Sequence, residues 1–90
     1  MYEDENVVAF LDTRPLNEGH TLIVPKKHYV TILNTPDELV ANIHRTVKQV
    51  ALAVRESMKA DGISIIQQNG KAAGQEIFHL HVHVIPRYEG

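Results

Sequence analysis

The strictest constraint in this chain is the run His79-Leu80-His81-Val82-His83-Val84-Ile85, where imidazoles alternate with branched apolar side chains. A period of two is the period of a β-strand, in which successive side chains point to opposite faces. As a strand, the run sends Leu80, Val82 and Val84 to one face and His79, His81 and His83 to the other. The first set can pack on a helix, and the second stands as a row of ring nitrogens on the far side. The alternation predicts a strand over 77–85, ended by Pro86. The chain has 90 residues, which is room for one domain over 1–90, so the whole fold must be arranged around this strand.

The remaining signals supply its neighbours. Val7-Val8-Ala9-Phe10-Leu11 is a short apolar run ended by Asp12, and His20-Thr21-Leu22-Ile23-Val24 is a β-branched run ended by Pro25; both read as strands. Between them, Pro15, Asn17 and Gly19 mark a loop. Thr35, Pro36 and Glu38 have the spacing of a capping box with proline at the first helical position. After them Leu39, Val40, Ile43, Val47, Val50, Ala51, Val54 and Met58 recur at three- and four-residue steps, with Arg45, Lys48, Arg55 and Lys59 between them. That pattern predicts an amphipathic helix stopping near Asp61-Gly62, where glycine can take the left-handed cap. Ile63 to Gln67 reads as another strand, and Gln68 to Gln75 as a loop with two glycines. Strands and one helix without regular alternation predict an α+β fold, an antiparallel sheet of about five strands with one long amphipathic helix packed on it.

Composition narrows the function. The formal net charge of −2 is no footprint for duplex nucleic acid or an anionic membrane surface. No apolar stretch is long enough to span a bilayer, and Tyr2-Glu3-Asp4-Glu5 is unlike a secretory signal, so a cytoplasmic protein is the expectation. There are no cysteines, hence no disulfide and no thiolate metal site within this chain. Three of its six histidines fall within five residues. Imidazoles so close disfavour simultaneous protonation, and a neutral ring keeps one free nitrogen that can attack phosphorus or bind a metal. Three readings stand side by side: a His-rich surface strand, a three-histidine zinc site, and nucleophilic catalysis on a phosphate with His81 flanked by helpers. Asn69, Gly70, Gly74 and Gln75 lead directly into the strand. Glycines let backbone amides approach an anion, and Asn and Gln can donate to phosphate oxygens, which favours the third reading over a plain turn.

The run 79–85 resembles the histidine-triad signature, His-φ-His-φ-His-φ-φ with φ apolar. Ala9-Phe10-Leu11-Asp12 and the block Gly19-His20 through Pro25-Lys26-Lys27-His28 match the same family, so the resemblance extends from Tyr2 to Tyr88. The Pro-Lys-Lys-His segment is closer to the nucleotide-phosphoramidase (Hint) branch than to the fragile-histidine-triad branch. The resemblance implies a nucleotide hydrolase or transferase acting on the α-phosphate of a purine ribonucleotide derivative, phosphoramidate-type, with dinucleoside polyphosphate hydrolysis or non-catalytic nucleotide binding as alternatives. It implies that His81 forms a nucleotidyl-histidine intermediate, that His83 contacts the phosphate or leaving group, and that His79 and His20 orient the site. It further implies that Asp12 holds the ribose hydroxyls, Phe10 walls the base pocket, and Asn69, Gly74 and Gln75 belong to the phosphate loop. No cofactor is required, and the expectation for metal is none. A structural zinc would need N-terminal cysteines of the kind some bacterial members carry, with His28 and His79 as the remaining ligands. The family also implies a homodimer, and N- and C-terminal segments beyond this stretch. Where the Hint branch often has a serine near the phosphate, this chain has Glu76, an acidic group that would repel substrate if it pointed inward.

Overall fold

The structure is a computed structural model and describes residues 2–90. Five strands form one antiparallel sheet: β1 (Tyr2–Glu3), β2 (Val7–Leu11), β3 (Thr21–Pro25), β4 (Gly62–Ile66) and β5 (Val82–Arg87), in the order β1-β2-β3-β5-β4. The single α-helix among the described residues, α1 (Asp37–Met58), connects β3 to β4 and lies on one face of the sheet. One-turn 3-10 helices lie at Ile32–Asn34, between β3 and α1, and at Lys71–Ala73, between β4 and β5. The expected α+β architecture is present, with β1 as a fifth strand too short to leave a signal of its own.

Alternation explains which face is core. In β2, Val7 and Ala9 are buried while Phe10 and Leu11 are exposed; in β3, Thr21 and Ile23 are buried. Leu80, Val82 and Val84 are buried as the alternating run requires. These side chains meet Ile43, Val47, Val50 and Val54, the inner stripe of α1. Each of these larger apolar side chains contributes about 1.5–3 kcal/mol on burial, so the core is held by roughly a dozen such groups and not by any one of them.

The helix boundaries differ from expectation at both ends. Pro36 is the cap, not the first helical residue, and Thr35 makes no cap bond to α1. The Thr35 hydroxyl donates instead to the Thr31 carbonyl, and its amide to that of Ile32. The capping box is one turn earlier, between Thr31 and Asn34, and serves the 3-10 helix. At the far end α1 stops at Met58, and Lys59, not Gly62, takes the left-handed conformation with φ 51°. Gly62 is committed to β4, paired with Arg87, which forces the helix to close earlier.

Strand β5 is also shifted. It begins at Val82 and runs through Pro86 to Arg87, instead of covering 77–85. Its pairing with β3 ends at Val84, so Pro86 has a ladder neighbour only in β4, an edge-like setting where a missing N–H is tolerated. Residues 77–81 carry no ladder, and the chain bends through Ile77, Phe78 and His79.

Candidate active site

The sheet face opposite α1 carries a cavity of about 380 Å³ lined by Phe10, Asp12, Leu22, Val24, Ile77, His79, His81 and His83. The triad therefore shares one face, although only His83 lies within a ladder, opposite Leu22 of β3 and Ile66 of β4. Leu22, Val24 and Ile77 were not singled out from sequence; the period of two in β3 would have found the first two, since they share the outward parity of Phe10 across the register.

Hydrogen bonds settle where the ring protons sit. His81 Nδ1 is 2.7 Å from the carbonyl oxygen of His79. A carbonyl only accepts, so Nδ1 carries the proton and Nε2 keeps its lone pair. The His79 ring is fixed in turn by its Nε2–H donating to the Pro25 carbonyl at 3.0 Å. Its Nδ1 lone pair faces His28 Nδ1 at 3.2 Å.

The second group is built by the β2–β3 hairpin. Pairing of Leu11 with Thr21 brings the loop ends together, and the Asp12 amide donates to the His20 carbonyl. His20 does not line the cavity. It is buried behind His83, with its Nδ1 accepting from the Leu16 backbone amide at 3.1 Å. An amide only donates, so the neutral His20 ring carries its proton on Nε2. That N–H reaches His83 Nδ1 at 2.9 Å, with Asp12 Oδ2 at 3.5 Å as a longer second acceptor. His83 Nδ1 is then an acceptor, and the ring's proton is on Nε2. Burial pushes the His20 imidazole below its ordinary value; Asp12 opposes this and Arg87 adds to it. His83 is also pushed down, first by burial, then by His81 and His20, against the pull of Asp12. Both rings are neutral near pH 7.

Asp12 lines the cavity while its Oδ1 accepts from the Arg14 amide at 3.0 Å, which fixes the carboxylate and leaves acceptor capacity for a hydroxyl. Phe10 is 41% exposed and offers an apolar wall. The loop residues are placed differently from the expectation. Asn69 Oδ1 accepts from the amide of Ile32 and from Gln67, and its Nδ2 donates to Gln67. The buried Gln75 accepts from the Gly70 amide and donates to the carbonyls of Val30 and Ile77. Both side chains are occupied in holding the loop and line no part of the cavity. Gly74 has φ 95°, a left-handed conformation that strains any residue carrying a Cβ, so the tight turn favours glycine. Glu76 is exposed and lines a different groove, with Lys71 and Phe78, so it does not face the triad.

Two clusters bear on metal. His28 Nδ1 and His79 Nδ1 have about the spacing of two nitrogens on one tetrahedral zinc, roughly 3.3 Å. With no cysteine in the sequence they supply two of the four ligands such a site needs, so the residues present do not complete it. Ligand atoms of Asp12, His20 and His83 lie within 4.8 Å of one another. A metal on His20 Nε2 would displace the proton that the Leu16 amide forces onto that nitrogen, leaving an imidazolate or an amide without its acceptor. This cluster is proton-linked and is poorly suited to a cation.

A five-stranded antiparallel sheet with its helix on one face and a row of imidazoles on the other defines a histidine-triad architecture. The HIT domain family model matches residues 1–90, and the chain belongs to this family. It is 50% identical over 90 residues to an uncharacterized HIT-like protein of Methanocaldococcus jannaschii, covering 100% of this chain and 69% of that protein. It is 44% identical over 89 residues to an adenylylsulfatase of Arabidopsis thaliana, covering 99% of this chain and 45% of that protein. The crystal structure of a Hit-like protein from Bartonella henselae superposes with a TM-score of 0.96 at 43% identity, covering 99% of this chain and 69% of that one.

Proposed function

We propose that this domain is a nucleotide hydrolase or transferase acting on the α-phosphate of a purine ribonucleotide derivative through a nucleotidyl-histidine intermediate. The observation that carries this reading is the 2.7 Å contact of His81 Nδ1 with the His79 carbonyl, which leaves Nε2 with a lone pair in a ring lining the cavity. A nucleophile whose Nδ1 proton is held on a carbonyl, beside the neutral His83 ring, matches attack on phosphorus. Phe10 and Asp12 at the cavity suit a base and a ribose diol. The plant relative named as an adenylylsulfatase supports the reaction class.

In the first step the His81 Nε2 lone pair forms a bond to the α-phosphorus as the bond to the leaving group breaks. The imidazolium so formed is stabilised through its Nδ1–H on the His79 carbonyl. In the second step water attacks phosphorus, the electron pair returns to Nε2, and the water proton passes to solvent. The leaving group separates an amine, as in the phosphoramidase branch, from a second nucleotide or another anion.

The test is His81→Asn. It should abolish turnover of adenosine 5′-phosphoryl substrates and the covalent nucleotidyl adduct, seen by mass spectrometry after acid-free quenching, while retaining nucleotide binding. Native turnover in this variant would remove the mechanism. Tight binding without turnover in the unaltered protein would instead identify a binding module.

A further inference from the structure

We propose that Gln75 is a positioning residue for the nucleophile: from a buried node it grips both the connection 25–32 and the unladdered stretch 77–81, and so holds the His79 carbonyl where it sets the His81 ring. This rests on the reading of His81 as the attacking group.

The stretch 77–81 needs such a hold. Strand β5 begins at Val82, and its pairing reaches back only to Val82 on β3 and to His83 on β4. Two of the triad rings, His79 and His81, therefore stand on backbone that the sheet does not fix. The connection between β3 and α1 holds it from the side. The Leu80 amide donates to the Tyr29 carbonyl at 2.7 Å, and His79 Nε2 donates to the Pro25 carbonyl. Gln75 closes this seam at its open end. Its Nε2 donates to the Val30 carbonyl at 2.7 Å and to the Ile77 carbonyl at 3.0 Å, while its Oε1 accepts from the Gly70 amide at 2.8 Å. Both N–H groups are spent on carbonyls, one on each side of the seam.

The residue type fits that task. The side chain is 4% exposed, so a lost bond is not made good by solvent. A glutamate would set carboxylate oxygens against two carbonyls, and asparagine is one methylene shorter than the reach to all three partners. The chain bends through Ile77, Phe78 and His79. Gln75 anchors the start of that bend at the Ile77 carbonyl, and Tyr29 anchors its finish at the Leu80 amide. The His79 carbonyl, which accepts from His81 Nδ1, lies between the two anchors. Released at Ile77, the bend can swing about Leu80 and carry that carbonyl with it. A misplacement of about 1 Å at a reacting group is enough to cost about 100-fold in rate.

Gln75→Met keeps the length of the side chain and removes its hydrogen bonds. With adenosine 5′-phosphoramidate it should lower kcat by about 10–100-fold, the range for losing a partner that orients a reacting group. The fall in kcat should exceed any rise in KM, because Gln75 lines no part of the cavity. In 15N-histidine spectra His81, protonated at Nδ1 in the unaltered protein, should become a mixture of tautomers. Val54→Ala, in the core beneath α1, is the control: it should lower stability and leave kcat and the His81 spectrum unchanged. A Gln75→Met protein that melts earlier but keeps the native kcat and His81 spectrum would overturn the proposal, and so would an equal loss of kcat in Val54→Ala. Hydrogen exchange on the unaltered protein needs no variant. The Leu80 amide should be protected like the ladder amides of β5, and fast exchange there would show that the stretch is not held. If the unaltered protein turns over no nucleotide, the hydrolase reading fails, and the spectra and exchange still decide whether Gln75 sets His81.

Discussion

Asp12 answers to two partners at once. Its Oδ1 holds the Arg14 amide, its Oδ2 lies near His20 Nε2, and the side chain still faces the cavity. If it receives the ribose hydroxyls, Asp12→Ala should weaken nucleotide binding by about 1.5–3 kcal/mol, the range for hydrogen bonds to a charged group. Calorimetric titration of the protein with ribo- and deoxyribonucleotides checks the role, and equal affinities for the two would contradict it. His20 and His83 make a separate prediction about stability. Their folded values lie below the unfolded one, so on acidification through about pH 6.5 the unfolded chain takes up protons that the native rings refuse. Stability should be full above that pH and fall as the pH drops toward the folded values. Glu3 and Asp4 are held below the ordinary carboxylate range and titrate lower still, which leaves pH 5–6.5 to the histidines. Urea midpoints measured from pH 8 to 5 should decline in that window, and flat midpoints would show that the rings are not held neutral. Much of this site was legible in the sequence, because histidines alternating with apolar residues can share a face in one way only. Leu16 was not: its role belongs to a backbone amide, which every residue except proline possesses.

Helix α1 shows what sequence conveys about an element. Its inner stripe of Ile43, Val47, Val50 and Val54 follows directly from the 3.6-residue period. Its ends do not, because each is decided by a neighbour: Thr35 is taken by the Thr31 carbonyl, and Gly62 by pairing with β5. Strand β1 is defined only by its pairing with Val8 and Ala9, a non-local fact with no local trace. The left-handed Lys59 offers a test. Its amide still reaches the carbonyls of Arg55 and Glu56, so the cap is satisfied and the remaining cost is Cβ crowding. Lys59→Gly should stabilise the domain by about 1 kcal/mol, partly offset by the entropy glycine gains when unfolded. Thermal unfolding would reveal it, and a lowered midpoint would mean that the lysine stem contributes packing that outweighs the strain.

For the molecule as a whole, β4 is one of the two edges of the sheet, the short β1 being the other. Among the described residues it pairs only with β5, and a groove between it and α1 is lined by Lys48, Ala51, Leu52, Arg55, Ile63 and Ile65. Leu52 is 46% exposed and Ile65 50% exposed. An open strand edge beside half-exposed apolar side chains invites pairing with an identical edge. We propose a two-fold homodimer that joins β4 to its mate and buries this part of α1. Sedimentation equilibrium across micromolar concentrations should show a dimer, and Ile65→Lys should shift it toward monomer. A well-folded monomer throughout, with stability unchanged on dilution, would refute the arrangement.

The alternation around β5 also restricts how such a protein can change over time. Because β5 is clamped between β3 and β4, with His83 opposite Leu22 on one side and Ile66 on the other, its frame is fixed from both flanks. Insertion or deletion of a single residue within the doubly paired stretch 82–84 would turn His83 toward α1 or a valine toward the cavity. Substitutions can alter chemistry and packing one position at a time, but a length change here damages both together. Lineages carrying this strand are therefore expected to vary in its letters while keeping its length.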